Sequence, residues 1–162
     1  MEEPRQGSVW VAPLNPLVST EWLGELLHDD MLRIADCRFY LAEPHRGHEE
    51  YLASHIPTAG YFSLDQDLTG TNGPGRHPLP DATEFATTIG ERGIGEEHTV
   101  VAYDDQGGGV AARLWWMLRS LGHQRVHVLN GGWTAWAAEP RSVTTEIPVW
   151  RPTVFAGTGE WS

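Results

Sequence analysis

The chain has 162 residues, 40 % of them hydrophobic and 20 % charged, a composition that fits one soluble globular domain large enough to bury its own core. Its formal charge of −11 argues against non-specific binding to nucleic acid or to an anionic membrane surface, and no apolar stretch is long enough for a membrane span. The single cysteine, Cys37, excludes an internal disulfide and a multi-cysteine metal site.

The opening Met-Glu-Glu-Pro-Arg has neither a basic segment nor an apolar one behind it, so a cytoplasmic protein is expected. Residues 1–16 hold three prolines and little periodicity, and read as an arm leading into a domain over residues 17–150. Ser19 or Thr20 can cap a helix over Glu21–His28, with Trp22, Leu23, Leu26 and Leu27 at helical spacing. Leu32–Ala35 reads as a strand ending at Asp36-Cys37-Arg38, Glu49–Ala53 as a short helix and Tyr61–Leu64 as a strand. From Asp67 to Pro80 the chain is rich in Gly, Pro, Asn and Thr, which predicts a long surface loop of the functional kind. Asp81 caps a helix through Ile89, and Thr99–Tyr103 is an apolar, β-branched central strand. A glycine loop then precedes a helix over Val110–Leu121 that is apolar on most sides and so expected to be buried. Arg125–Leu129 is a further strand, turning at Asn130-Gly131-Gly132 into a helix over Trp133–Ala138. Residues 151–162 form a tail.

Strands alternating with helices predict an α/β domain: three layers, a central mostly parallel sheet and helices on both faces. Ligands of such sheets sit at the carboxyl ends of the strands, where Asp36–Arg38 and Asp104–Gly109 should share one rim. The loop Asp104-Asp105-Gln106-Gly107-Gly108-Gly109, running into Val110, is built like an anion or thiolate cradle: backbone N–H groups and a helix N-terminus face one point. Asp stands where a nucleophile would. Either an Asp side chain satisfies the loop amides itself, or the loop binds an anion.

Four segments in order resemble a rhodanese homology domain: Asp36-Cys37-Arg38, Ser54-His55-Ile56-Pro57-Thr58-Ala59, the strand–loop–helix just described, and Val128-Leu129-Asn130-Gly131-Gly132-Trp133-Thr134-Ala135-Trp136. Phe39-Tyr40-Leu41-Ala42, Tyr103-Asp104, Arg113-Leu114-Trp115-Trp116 and the long Gly/Pro loop are similar to the first domain of tandem thiosulfate or 3-mercaptopyruvate sulfurtransferases. The resemblance implies a non-catalytic or accessory half, because in that family the second domain carries the persulfide-forming cysteine. It further implies that the tail over 151–162 matches the start of an interdomain linker, and that a catalytic rhodanese domain is the partner.

By the same resemblance, Asp65 and His77 correspond to an Asp and a His that face a Ser of the partner's catalytic loop; their alternative is a turn cap and an exposed loop histidine. Cys37 is the other candidate nucleophile, which would make the chain an active sulfurtransferase. The neighbouring Asp36 disfavours its thiolate, and a buried inert thiol is the competing reading. A third reading is a stand-alone module that binds a partner protein or an oxyanion, such as a small sulfur-containing anion. His45 and His48 sit beside carboxylates but lack a third ligand, so no metal is expected, and no cofactor either. Trp115 and Trp116 point in different directions on one helix; one packs on the sheet and the other leaves an apolar patch suited to a second domain or to self-association.

Overall fold

The computed structural model describes residues 15–162 and the backbone of two short strands before them, β1 (Arg5–Gln6) and β2 (Val9–Trp10), which pair antiparallel. The arm expected over residues 1–16 lies mostly outside the described residues. At its end, β3 (Leu17–Val18), which was not anticipated, joins the sheet: Pro16 O accepts from Val128 N at 2.7 Å and Asn15 O faces His127 Nδ1 at 2.9 Å.

The elements then follow in the expected alternation: α1 (Thr20–Leu26), β4 (Leu32–Asp36), α2 (Arg46–Ala53), β5 (Ala59–Tyr61), α3 (Ala82–Glu91), β6 (Thr99–Tyr103), α4 (Gly109–Ser120), β7 (Val126–Leu129) and α5 (Gly132–Ala138). Ser19 caps α1, its hydroxyl accepting from Trp22 N, and Asp81 caps α3, accepting from Thr83 N and Glu84 N. Two expectations need correction. The short helix begins at Arg46 rather than Glu49, and the strand expected over Tyr61–Leu64 lies at Ala59–Tyr61. It ends early because Ser63 N turns to the Asp67 side chain at 2.7 Å, starting the loop where the apolar pattern still continues.

Five strands form one parallel sheet in the order β3-β7-β6-β4-β5. Each face carries its own core, as a sheet buried on both sides requires. On one side Phe85, Ile89, Leu114, Met117, Leu118 and Phe155 pack from α3, α4 and the tail. On the other Leu23, Leu26, Tyr51 and Trp136 pack from α1, α2 and α5. β6 is buried at every residue and is the centre of the molecule.

The chain leaves β4 toward β5 on one side and leaves β6 toward β7 on the other, so the strand order diverges between β4 and β6. The crevice at such a switch point is where α/β sheets bind ligands. Its two walls are the segment after Asp36 and the loop after Tyr103, tied at their base by Cys37 N donating to Tyr103 O at 2.7 Å. No helix of the described residues is long and apolar enough to cross a membrane.

Candidate functional site

Asp104 follows the last residue of β6 and its carboxylate turns inward, 2 % exposed. Oδ1 accepts from Gln106 N and Gly108 N, both at 2.9 Å; Oδ2 accepts from Val110 N at 3.0 Å and Ala111 N at 2.9 Å. The amides of the cradle and of the first turn of α4 thus converge on one anion, and that anion is part of the chain. The loop can wrap this tightly because Gly108 caps α4 at φ 90, a left-handed conformation that favours glycine. The same carboxylate residue anchors the next turn: Trp133 N donates to Asp104 O at 2.9 Å, and a Cβ on Gly132 would collide with that carbonyl.

Asp105 faces the other way. Its Oδ2 accepts a short hydrogen bond from the Tyr40 hydroxyl across the switch-point crevice, and its Oδ1 is buried with no hydrogen-bond partner. Burial and the adjacent carboxylate push the Tyr40 hydroxyl well above its ordinary range, so it stays a donor. Tyr40 was not singled out from the sequence. Its signal, an aromatic hydroxyl four residues after Asp36, is visible only once β4 and β6 are known to be neighbours.

Beneath the rim, Asp36 and Arg38 form a buried ion pair at 2.8 Å. Tyr103 donates its hydroxyl proton to Asp36 Oδ2 at 2.6 Å, Arg38 also donates to Ser54 O at 2.6 Å, and the guanidinium lies 4.3 Å from the Trp133 ring centre. Every strong group there is satisfied internally, as a buried charge requires. Cys37 sits between the pair with no exposure, and its Sγ–H reaches only Ala35 O, at 3.8 Å. Burial first, and then the charge of Asp36, pushes its thiol well above the ordinary range. A thiolate, the form that attacks sulfur, is strongly disfavoured at that position.

The long loop brings Asp65 and His77 together. His77 Nε2 lies 2.9 Å from Asp65 Oδ1, with His77 partly and Asp65 substantially exposed, and the imidazole packs edge-on against Phe39 at 5.8 Å. With the Nε2 proton donated to Asp65, Nδ1 carries the free lone pair. Arg113, from α4, holds the loop in place by donating to Leu68 O at 2.8 Å and His77 O at 2.9 Å. Phe39, which packs on His77, and Tyr40, which bonds Asp105, are adjacent in sequence.

The remaining candidates stay apart from this rim chemistry. His48 stacks on Tyr61 at 5.0 Å, and among the described residues no group of three or more His, Cys, Asp or Glu is placed to hold a metal. Trp115 packs partly against the core while Trp116 is 40 % exposed and stacks on Trp161 at 5.9 Å, so the tail covers part of the patch expected there.

An α/β fold with this sheet order, a strand–loop–helix cradle and an Asp-x-Arg strand end defines the class, and residues 19–139 match the model of the rhodanese-like domain; the chain belongs to that family. It is 38 % identical over 145 residues to a probable 3-mercaptopyruvate sulfurtransferase of Pseudomonas aeruginosa, covering 87 % of this chain and 51 % of that protein. It is 36 % identical over 148 residues to the thiosulfate sulfurtransferase of Rattus norvegicus, covering 88 % of this chain and 50 % of that one. Among solved structures, the 3-mercaptopyruvate sulfurtransferase of Leishmania major superposes with a TM-score of 0.80 at 29 % identity, covering 92 % of this chain and 42 % of that one. SseA of Escherichia coli superposes with a TM-score of 0.79 at 28 % identity, covering 88 % and 55 %. The chain spans about half the length of the curated relatives it matches.

Proposed function

We propose that this domain is the accessory, non-catalytic half of a thiosulfate or 3-mercaptopyruvate sulfurtransferase, supporting a site whose sulfur-carrying cysteine belongs to a second rhodanese domain. One observation carries the reading: the Asp104 carboxylate takes up the cradle amides that a persulfide would need.

In the transfer step a thiolate attacks the outer sulfur of the donor. A new S–S bond forms, the donor's own bond to that sulfur breaks, and the leaving group departs with the electron pair. Only sulfur can then hold the transferred atom and release it to a second nucleophile; a carboxylate cannot. Asp104 therefore keeps the architecture of the cradle while removing its chemistry. The contribution of this half is instead the exposed His77–Asp65 pair, oriented by Phe39 and Arg113 and able to accept a proton at Nδ1 from a hydroxyl presented by the partner. An active site built on Cys37 has against it a fully buried thiol whose thiolate is disfavoured by burial and by Asp36.

The test is thiosulfate turnover with cyanide as acceptor. The purified chain should release thiocyanate no faster than its Cys37→Ser variant. Turnover above background that disappears in Cys37→Ser would sink the accessory reading.

A further inference from the structure

We propose that two buried histidines, His98 and His123, form an acid-sensitive clasp that holds the tail against the domain and releases it when they are protonated. Each closes a turn by accepting a backbone N–H at Nδ1: Gly95 N donates to His98 at 2.8 Å, and Arg125 N donates to His123 at 3.2 Å. A ring nitrogen that accepts an N–H carries no proton of its own, so both imidazoles are neutral in this arrangement. A proton added at Nδ1 would face the N–H it now accepts, and the turn has to open.

The same two turns carry the tail. In the first, the Glu96 carboxylate accepts from Gly157 N at 3.1 Å. In the second, Leu121 O accepts from Thr158 N at 3.1 Å, and the His123 ring lies against Phe155, 5.7 Å between centres. Further along, Trp161 packs on Phe85 and Trp116, and its Nε1–H donates to Pro80 O at 2.9 Å. Release of the tail therefore uncovers apolar surface on α3 and α4. It also frees the end of the long loop that holds His77.

The surroundings favour the neutral rings. His98, His127, Arg125 and Glu97 face His123; Arg33 and Glu97 face His98, with Glu97 Oε1 3.7 Å from its Nδ1. Only Glu97 favours a charged ring, and its side chain is half exposed. Burial first, then the neighbouring cations, lowers His98 and takes His123 to about 4. His123 Nε2 is buried with no acceptor to stabilise an imidazolium. Once the turns open, both rings titrate near the ordinary ~6.5, so the clasp is whole above that pH and weakens as pH falls toward 4. This inference is independent of the accessory reading.

Hydrogen exchange at the amides of Gly157 and Thr158, corrected for the intrinsic effect of pH on exchange, tests it against the amides of β6. Tail protection should fall at least about tenfold between pH 7 and 5, through an opening that low urea does not accelerate. The double variant His98→Asn, His123→Asn puts an amide oxygen where each Nδ1 accepts and cannot take a proton. Its tail protection should be flat over that range. The proposal is overturned if the parent shows no loss, if tail and β6 exchange through one urea-sensitive opening, or if the double variant responds as the parent does. Glu96→Gln keeps an acceptor for Gly157 N and should respond like the parent; a lost response would assign the sensing to that carboxylate and overturn the clasp. The ring signals of His98 and His123 in the parent should titrate together with the tail signals, and separate midpoints overturn the proposal without any variant.

Discussion

Two loops on the same rim handle their polar groups in opposite ways. After β6, Asp104 is buried and its carboxylate bonds close on the loop and the first turn of α4; after β5, Asp65 and His77 meet at the surface with a nitrogen left over. A satisfied buried carboxylate contributes stability, whereas a half-satisfied exposed pair contributes little to folding and is free to do chemistry. The rim therefore separates structure from function within a few residues.

That contrast can be broken at either end. Asp104→Ala leaves a set of buried amides without an acceptor, and equilibrium urea unfolding should show a loss of about 3–5 kcal/mol. A loss below about 1 kcal/mol would mean that water replaces the carboxylate and that the loop is not closed by it. Replacing it instead by a thiol sharpens the comparison: Asp104→Cys, made in a Cys37→Ser background, should acquire one sulfur atom from thiosulfate, as mass spectrometry would show.

Acid titration gives the next effect. His123 is buried, its ring tilted against Phe155 of the tail, and it faces His98, His127, Arg125 and Glu97. Burial first, then the neighbouring cations and histidines, lowers it to about 4, and His98 and His127 are lowered as well. The folded protein keeps His123 neutral, while the unfolded chain protonates it near the ordinary histidine value. Its contribution to stability is thus fully present above pH ~6.5 and lost as pH falls from there toward 4, by up to about 3 kcal/mol. His123→Phe should flatten this window; an unchanged slope would refute the assignment.

Arg113→Ala should cost about 1–2 kcal/mol by releasing carbonyls of the long loop, and hydrogen exchange should rise around residues 68–78 more than in the sheet. His77→Ala, at the small end, should change stability by no more than about 0.5 kcal/mol. A large loss there would make the pair structural and erase the contrast.

Much of this was legible in the sequence because local signals and tertiary demands agree. The β-branched and apolar run at Thr99–Tyr103 is the buried central strand, and Ser19 and Asp81 cap the helices they precede. The glycine loop was readable as a cradle, but its filling by Asp104 stood open beside anion binding, since sequence does not say which way a carboxylate turns. Strand β5 was misplaced because Asp67, four residues on, captures Ser63 N, a side-chain competition that hydropathy does not register. Tyr40–Asp105 and Arg113 with the long loop stayed hidden for another reason. They join residues 65 and 45 or 36 positions apart, and only the strand order makes them neighbours.

The most direct measurement is intact-protein mass spectrometry of the parent chain after incubation with excess thiosulfate. With Asp104 in the cradle and Cys37 buried, the expected result is an unchanged mass. Addition of one sulfur atom to Cys37, removable by cyanide and absent from Cys37→Ser, would contradict the reading of this domain as the supporting half.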